Sequence, residues 1–229
     1  MGNDFDIIIV GSGPAGVSAA YPLVQSGIRV LMVDGGEESN PHLTERKKDV
    51  YSINQSSNVS PKLRVPAYRY VFKDFLEKNK INATNFVAVG SMAKGGLSNA
   101  WGCGVARLSE REMDSYPFSR IEIEESYETV ARRMGISGAN SDDLSDYFGL
   151  DDWSQPPIEM DPFHSMLFKR YLKHRAMLNL TGFKLGRSRI AVISQNLGNR
   201  KPFNLSGDSL WSGHNDSLYS AAYEITSLL

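Results

Sequence analysis

A short apolar run that ends in a glycine-rich turn is the feature that most constrains the fold of this chain. Residues 5–10 are mostly apolar and rich in β-branched side chains, which is typical of a strand buried in a parallel sheet. Glycines break the run at Gly11, apolar residues then recur at helical spacing, and Gly27 suits the position just after a helix. A second apolar stretch, Arg29–Val33, leads to Asp34. The sequence therefore predicts one right-handed, parallel βαβ unit.

The turn itself has the glycine spacing of a dinucleotide-binding backbone. Its first glycine permits the tight turn, its second lets the backbone approach a pyrophosphate, and its third lets the helix pack closely on the sheet. The helix N-terminus then directs N–H groups and the positive end of its dipole at the phosphates. We predict cofactor contacts for all six residues of the turn, which are Gly11, Ser12, Gly13, Pro14, Ala15 and Gly16.

An acidic residue stands where this kind of fold holds a ribose. Asp34 follows Gly16 by 18 residues, close to the separation of about 20 that the motif requires. Its carboxylate can accept hydrogen bonds from a ribose hydroxyl and would repel a 2′-phosphate. This favours FAD or NAD over NADP. The alternative is a glycine-rich turn followed by a solvated aspartate.

A second glycine-rich segment and its surroundings resemble a known family. The segment runs Gly95, Gly96, Leu97, Ser98, Asn99, Ala100, Trp101 and Gly102. It resembles the second signature of the glucose–methanol–choline (GMC) oxidoreductases, and residues 30–36 are similar to that family's second strand, with Asp34 where Glu is usual and Gly35 after it. Residues 107–138 resemble the bacterial, pyranose-oxidase-like branch.

The resemblance implies a Rossmann-like α/β domain with a parallel sheet that binds FAD. In the family this second loop lies along the pyrophosphate and reaches the flavin. Gly95, Gly96 and Gly102 would then allow close backbone approach, and Ser98 and Asn99 would offer hydrogen bonds. Pyranose oxidases attach the flavin through a His in this loop, and the matching residue here is Ala100, so the resemblance implies non-covalent FAD.

The chemistry implied by the family is hydride transfer from an alcohol, such as a sugar or polyol, to the flavin. An electron acceptor of unknown identity then reoxidises the flavin. In proteins of that family the catalytic base is a His near the far C-terminus. The resemblance therefore implies a base beyond Leu229, and we assign no catalytic residue within the chain. Within the chain, His214 lies beside polar loop residues and is the one histidine considered as an alternative general base. The other three are expected to be solvated or structural, and they are His42, His164 and His174. No metal site is predicted, and Cys103 is expected to be a buried, inert thiol.

Composition limits the other classes of function. The 229 residues carry a formal charge of −1 and 41% hydrophobic side chains, which gives no reason to expect nucleic-acid or membrane binding. One cysteine and no secretory leader favour a cytoplasmic protein. Two alternatives stay open: a nicotinamide-dependent Rossmann enzyme, and a non-catalytic dinucleotide-binding fragment.

We predict a FAD-binding region at 1–138, with a polar excursion loop at 37–66, and a partial cap or substrate region at 139–229. The C-terminal half of the family fold is expected to be absent, which would leave an uncovered sheet edge, weak FAD affinity and self-association. Further predicted elements are helices at 70–76, 123–134 and 166–172, strands at 86–89 and 190–193, and a last helix from Leu218.

Overall fold

The computed structural model describes residues 4–36, 68–82, 84–86, 89–148, 154–205 and 216–228. The chain forms two compact units. The first comprises residues 1–102, 210–214 and 220–229, and the second comprises 103–209 and 215–219. The predicted functional division at residue 138 stays a prediction, and the predicted excursion loop at 37–66 lies outside the described residues. The helices are α1 (Pro14–Gln25), α2 (Arg69–Phe72), α3 (Phe75–Asn79), α4 (Glu110–Met113), α5 (Arg120–Met134), α6 (Ser145–Phe148), α7 (Pro162–Leu180) and α8 (Ala221–Leu228).

A parallel βαβ unit forms the start of the first unit. Strand β1 (Ile7–Val10) pairs in parallel with β2 (Val30–Val33), with Ile7 opposite Val30. Between them lies α1, which begins at Pro14 and ends at Gln25, shortly before Gly27. Proline is tolerated at the start because the first turn of a helix does not need the N–H group that proline lacks. The structure confirms the predicted α/β class with a Rossmann-like parallel arrangement.

Both strands and α8 contact α1 within the first unit. Val17 and Ala20 of α1 are buried, and α8 contacts α1 as well as a short 3-10 turn at Gly96–Asn99. On the opposite side of β1 the side chains of Ile8 and Val10 are 63% and 83% exposed. The two faces of the β1–β2 sheet therefore differ, one lying under helices and one open.

The predicted single helix at 70–76 is wrong. The structure has two short helices there, α2 and α3, separated at Lys73 and Asp74. Asp74 has φ +53°, in the left-handed region that interrupts a right-handed helix. Of the predicted strand at 86–89, the two central residues lie outside the described part of the chain.

The second unit contains the longest helices. The predicted amphipathic helix at 123–134 is confirmed as α5, which starts earlier because Ser119 and Glu122 form a capping box and which ends at Gly135. The predicted helix at 166–172 is confirmed and extended as α7. Asp161 caps it by accepting hydrogen bonds from the first-turn N–H groups of residues 163 and 164.

The predicted strand at 190–193 is wrong, although its residues lie in the core. Ile190 forms isolated bridges with Gly104 and Ser137, whereas Val192 bridges to Leu218. Neighbouring residues thus pair with different segments, and no continuous ladder forms. The same bridge holds Leu218 in extended backbone, so the last helix, α8, begins three residues later than predicted.

Candidate functional site: two glycine loops

The first glycine loop, defined as Gly11–Gly16, has three differently used glycines. Gly11 has φ +95°, which an L side chain rarely adopts. A Cβ on Gly13 would meet nothing within 4 Å, whereas one on Gly16 would lie 1.9 Å from the carbonyl oxygen of Gly11. The local geometry therefore matches the turn, the open approach and the close packing that the sequence predicts for these positions.

The N-terminus of α1 opens directly from this loop. Gly13 is the N-cap residue and gives no side-chain cap, and the first turn carries no acidic side chain. First-turn N–H groups have no partner within their own helix, and they carry the positive end of the helix dipole. This helix end is thus suited to an anionic group held by backbone N–H donors.

Asp34 lies half-buried at the end of β2 and faces the loop. Its Oδ2 accepts from the N–H of Ser12 at 3.0 Å and from the Ser12 hydroxyl, and its Oδ1 accepts from the N–H of Gly36 at 2.8 Å. Burial alone raises the pKa of Asp34, but these hydrogen bonds and the charge of Lys94 outweigh it, so the pKa lies below its ordinary value. Asp34 is therefore an ionised acceptor at neutral pH.

The second glycine loop, defined as Gly95–Gly102, lies against the first. The N–H of Gly95 donates to the Ser12 hydroxyl oxygen at 2.9 Å. A Cβ on Gly96 would lie 3.2 Å from the Cα of Gly13, and one on Gly95 would lie 2.7 Å from the backbone nitrogen of Ala222. Glycine is thus needed at both positions for the loop to fit between the first loop and α8.

The polar side chains of the second loop bond to the protein itself. Ser98 Oγ donates to the Gly95 carbonyl at 2.5 Å and accepts from the N–H of Ala221 at 2.9 Å. Asn99 Nδ2 donates to the carbonyl of Gly96 in the loop and to that of Lys94 just before it, and its Oδ1 accepts from the Ser220 hydroxyl at 2.8 Å. These side chains fasten the loop to the start of α8, so cofactor contacts through Ser98 and Asn99 stay a prediction.

Other predicted residues have varied surroundings. A Cβ on Gly35 would lie 2.5 Å from the carbonyl oxygen of Met92, whereas one on Gly102 would meet nothing within 4 Å. Cys103 is buried at 3% exposure. His164 is exposed beside Asp161, His174 is exposed, and His42 and His214 lie outside the described residues. Among the residues with a described placement, no cluster of three or more His, Cys, Asp or Glu side chains suits a metal.

The structure has a cleft beside Asp34 that was not predicted from the sequence. The cleft has a volume of about 460 Å³ and joins a polar end with Ser12, Asp34 and Lys94 to apolar walls from α1, β2 and α8. Its walls come from segments separated by most of the chain, so no local pattern could reveal it. The bonds of the Ser12 hydroxyl to Asp34 and Gly95 were also not predicted, because the residue between the first two glycines of the motif has no prescribed side chain.

A smaller cavity of about 240 Å³ lies in the second unit, and Asp143, one of two aspartates that line it, is already hydrogen-bonded. Asp143 is hydrogen-bonded by Arg175 and Tyr171 and by Asn179 Nδ2 at 3.2 Å. The bonds from Arg175 and Tyr171 lower the pKa of Asp143 to about 2. These contacts join α7 to the segment before α6, which is a structural role.

The comparisons with known proteins agree with this geometry. Residues 5–99 match the family model described as pyridine nucleotide-disulphide oxidoreductase. The match covers less than half of the chain, and with the parallel βαβ fold it makes this region similar to the nucleotide-binding part of such oxidoreductases. No helix in the part of the chain that the structure describes is long and apolar enough to cross a membrane.

Snake L-amino-acid oxidases are among the similar proteins. L-amino-acid oxidase of Crotalus adamanteus is 32% identical over 81 residues, which is 35% of this chain and 14% of that protein. Bordonein-L of Crotalus durissus terrificus is 32% identical over 85 residues, which is 37% of this chain and 15% of that protein. The match thus spans a small part of these relatives, and none of these matches is specific to the GMC family.

Proposed function

We propose that this chain is the FAD-binding part of a flavin-dependent oxidoreductase. The observation that carries the proposal is the contact between the two glycine loops at the N-terminus of α1, where Gly96 approaches the Cα of Gly13. A single glycine turn suits any dinucleotide, whereas a second backbone loop beside it suits a cofactor with a long, extended contact surface. Similarity of residues 5–99 to the pyridine nucleotide-disulphide oxidoreductase model, together with the L-amino-acid oxidase matches, supports the same choice.

The residues present fit FAD. The open space at Gly13 and the first-turn N–H groups of α1 would hold the pyrophosphate, and ionised Asp34 would accept from the ribose. The second loop would contact the cofactor through its backbone, because the side chains of Ser98 and Asn99 already form hydrogen bonds within the protein. When bound, the flavin supplies the two-electron acceptor, while the chain orients it.

Titration of the purified chain with FAD and with NADH tests the cofactor. We expect FAD to bind with a shifted visible absorption band and NADH to leave the protein unchanged. NADH binding without FAD binding would support the nicotinamide alternative. Acid precipitation of the loaded protein should leave the flavin in the supernatant, because Ala100 offers no nucleophile for attachment; flavin in the pellet would contradict non-covalent binding.

For the substrate, we propose a CH–OH donor, an alcohol such as a sugar or polyol. The proposal is supported by the resemblance of the second loop to the GMC signature. A second candidate is amino-acid oxidation, favoured by the similarity to the Crotalus L-amino-acid oxidases.

Anaerobic mixing separates these substrates. The FAD-loaded chain is mixed with a panel of alcohols and, separately, of L-amino acids, and the visible absorption band of the oxidised flavin is followed. Bleaching by alcohols supports the first candidate, and bleaching by amino acids supports the second. No bleaching by either supports a non-catalytic dinucleotide-binding fragment.

Partners and location are further parts of the proposal. We propose a small-molecule substrate, a separate electron acceptor and a cytoplasmic location. We also propose self-association through an uncovered edge of the sheet, and the exposed side chains of Ile8 and Val10 would add apolar surface to such a contact. Sedimentation analysis checks it, and a monomer at all concentrations would contradict it.

A further inference from the structure

Three backbone segments meet through one hydroxyl group. The N–H of Gly95 donates to Ser12 Oγ at 2.9 Å, and the Ser12 hydroxyl is hydrogen-bonded to Oδ2 of Asp34. An amide nitrogen can only donate and an ionised carboxylate can only accept. The Ser12 proton must therefore point to Asp34, and the chain of donors runs from Gly95 through Ser12 to Asp34.

This hydrogen-bond chain is buried at its centre. Ser12 is 2% exposed, and its partners lie 22 and 83 residues away along the sequence. Consecutive hydrogen bonds with the same direction polarise one another, and they are stronger where water is excluded. The hydroxyl thus connects the acid after β2 with the second glycine loop.

The same contacts limit what Asp34 can still accept. A carboxylate has about four lone-pair sites, two on each oxygen. Two donors from Ser12 fill Oδ2, and the N–H of Gly36 fills one site on Oδ1. Among the donors in the part of the chain that the structure describes, none fills the second site on Oδ1, and that site suits a single hydroxyl group of a ligand.

We propose that Ser12 is a positioning residue that couples Asp34 to the second glycine loop. Its hydroxyl fixes the orientation of the carboxylate and the position of Gly95 together, so a ligand hydroxyl that binds at Oδ1 finds the second loop already in place. The identity of the ligand as FAD rests on the proposed function. The coupling between Asp34 and the second glycine loop is a property of the cofactor-free chain and does not depend on that identity.

The test compares Ser12→Ala with Ser26→Ala in the isotope-labelled, cofactor-free chain. One readout is the NMR titration of the Asp34 carboxyl carbon, assigned with Asp34→Asn. The other is the hydrogen-exchange rate of the Gly95 amide. Ser26 is the matched control, because its hydroxyl donates to the Pro22 carbonyl at the far end of α1.

In Ser12→Ala we expect the Asp34 midpoint to rise toward its ordinary value and the Gly95 amide to exchange about tenfold faster, the effect of losing one hydrogen bond. Ser26→Ala should change neither. Lys94 also faces Asp34 and lowers its pKa, but it is present in every variant, so the difference isolates Ser12. Unchanged titration and exchange in Ser12→Ala would overturn the proposal.

If Ser12→Ala does not fold, Asp34→Asn carries the test. An amide is a weaker acceptor than a carboxylate, so Gly95 exchange should again be faster than in the parent chain, and an unchanged rate would overturn the coupling. FAD titration of the parent chain is scored separately. Failure to bind FAD contradicts the proposed function, whereas unchanged exchange contradicts only the coupling.

Discussion

The two glycine loops lie side by side but use their glycines in opposite ways. In the first loop Gly13 has open space where a Cβ would be, and only Gly16 is tightly packed. In the second loop both leading glycines are packed against other backbone, at Gly13 for Gly96 and at Ala222 for Gly95. The first loop keeps a surface for a ligand, whereas the second mainly fits between elements.

The side chains of the two loops show the same division. The first loop has one polar side chain, Ser12, and it points inward to Asp34. The second has Ser98 and Asn99, and both bond to its own backbone and to the start of α8. A glycine-rich sequence therefore does not by itself identify a ligand-binding backbone; the space beside each glycine decides it.

The largest expected effect comes from the packed glycine of the first loop. Gly16→Ala would place a Cβ 1.9 Å from the carbonyl oxygen of Gly11, and relieving that overlap requires the loop to move away from α1. We expect the free energy of unfolding to fall by about 3 kcal/mol, measured by urea denaturation. A stability equal to that of the parent chain would show that α1 does not pack this closely.

Gly13→Ala should instead act on the ligand. Its added Cβ meets no protein atom within 4 Å, so the free energy of unfolding should change by less than about 1 kcal/mol, the scale of N-cap substitutions. The methyl group would occupy the approach of the pyrophosphate, and we expect FAD affinity to fall about 100-fold, or about 2.7 kcal/mol. Unchanged affinity by flavin fluorescence titration would contradict a phosphate site at this loop.

The pH dependence of FAD binding should follow Asp34. Because its pKa is lowered in the folded chain, the carboxylate stays ionised down to its ordinary pKa of 3.8, and affinity should be constant above that pH and fall only below it. Asp34→Asn should bind FAD about tenfold more weakly at pH 7 and lose this pH dependence. A fall in the parent chain's affinity between pH 7 and pH 5 would show that another group controls binding.

Ser98→Ala should have the smallest effect. It removes the acceptor for the Ala221 N–H at the start of α8, so we expect a loss of about 1 kcal/mol in the free energy of unfolding. FAD affinity should change by less than about threefold, since the side chain bonds to protein. An affinity loss as large as that of Gly13→Ala would make Ser98 a direct ligand contact and would remove the contrast between the loops.

Local sequence signals predicted the elements that depend on local chemistry. The βαβ unit follows from apolar runs and a glycine turn, and the end of α5 follows from Gly135. The sequence predicted one helix where the structure has α2 and α3, because nothing in the sequence indicates the positive φ of Asp74. Residues 190–193 look like a strand but pair with three distant segments, which is a tertiary effect.

The candidate site was predicted in part for the same reason. Asp34 and the first loop were found because their spacing is local and fixed by the motif. The contact between Ser12 and Gly95 spans 83 residues, and the bond between Ser98 and Ala221 spans 123. Such contacts depend on how segments pack, so the sequence predicted cofactor contacts for Ser98 and Asn99, which stay a prediction, but not their hydrogen bonds within the protein.

Direct FAD titration of the parent chain and Gly13→Ala, side by side, tests the central claim that the first glycine loop holds a flavin dinucleotide. The account predicts a saturable shift of the flavin absorption band for the parent chain and about 100-fold weaker binding for the variant, with equal unfolding curves without cofactor. No FAD binding by the folded parent chain, or equal binding by both, would contradict the claim.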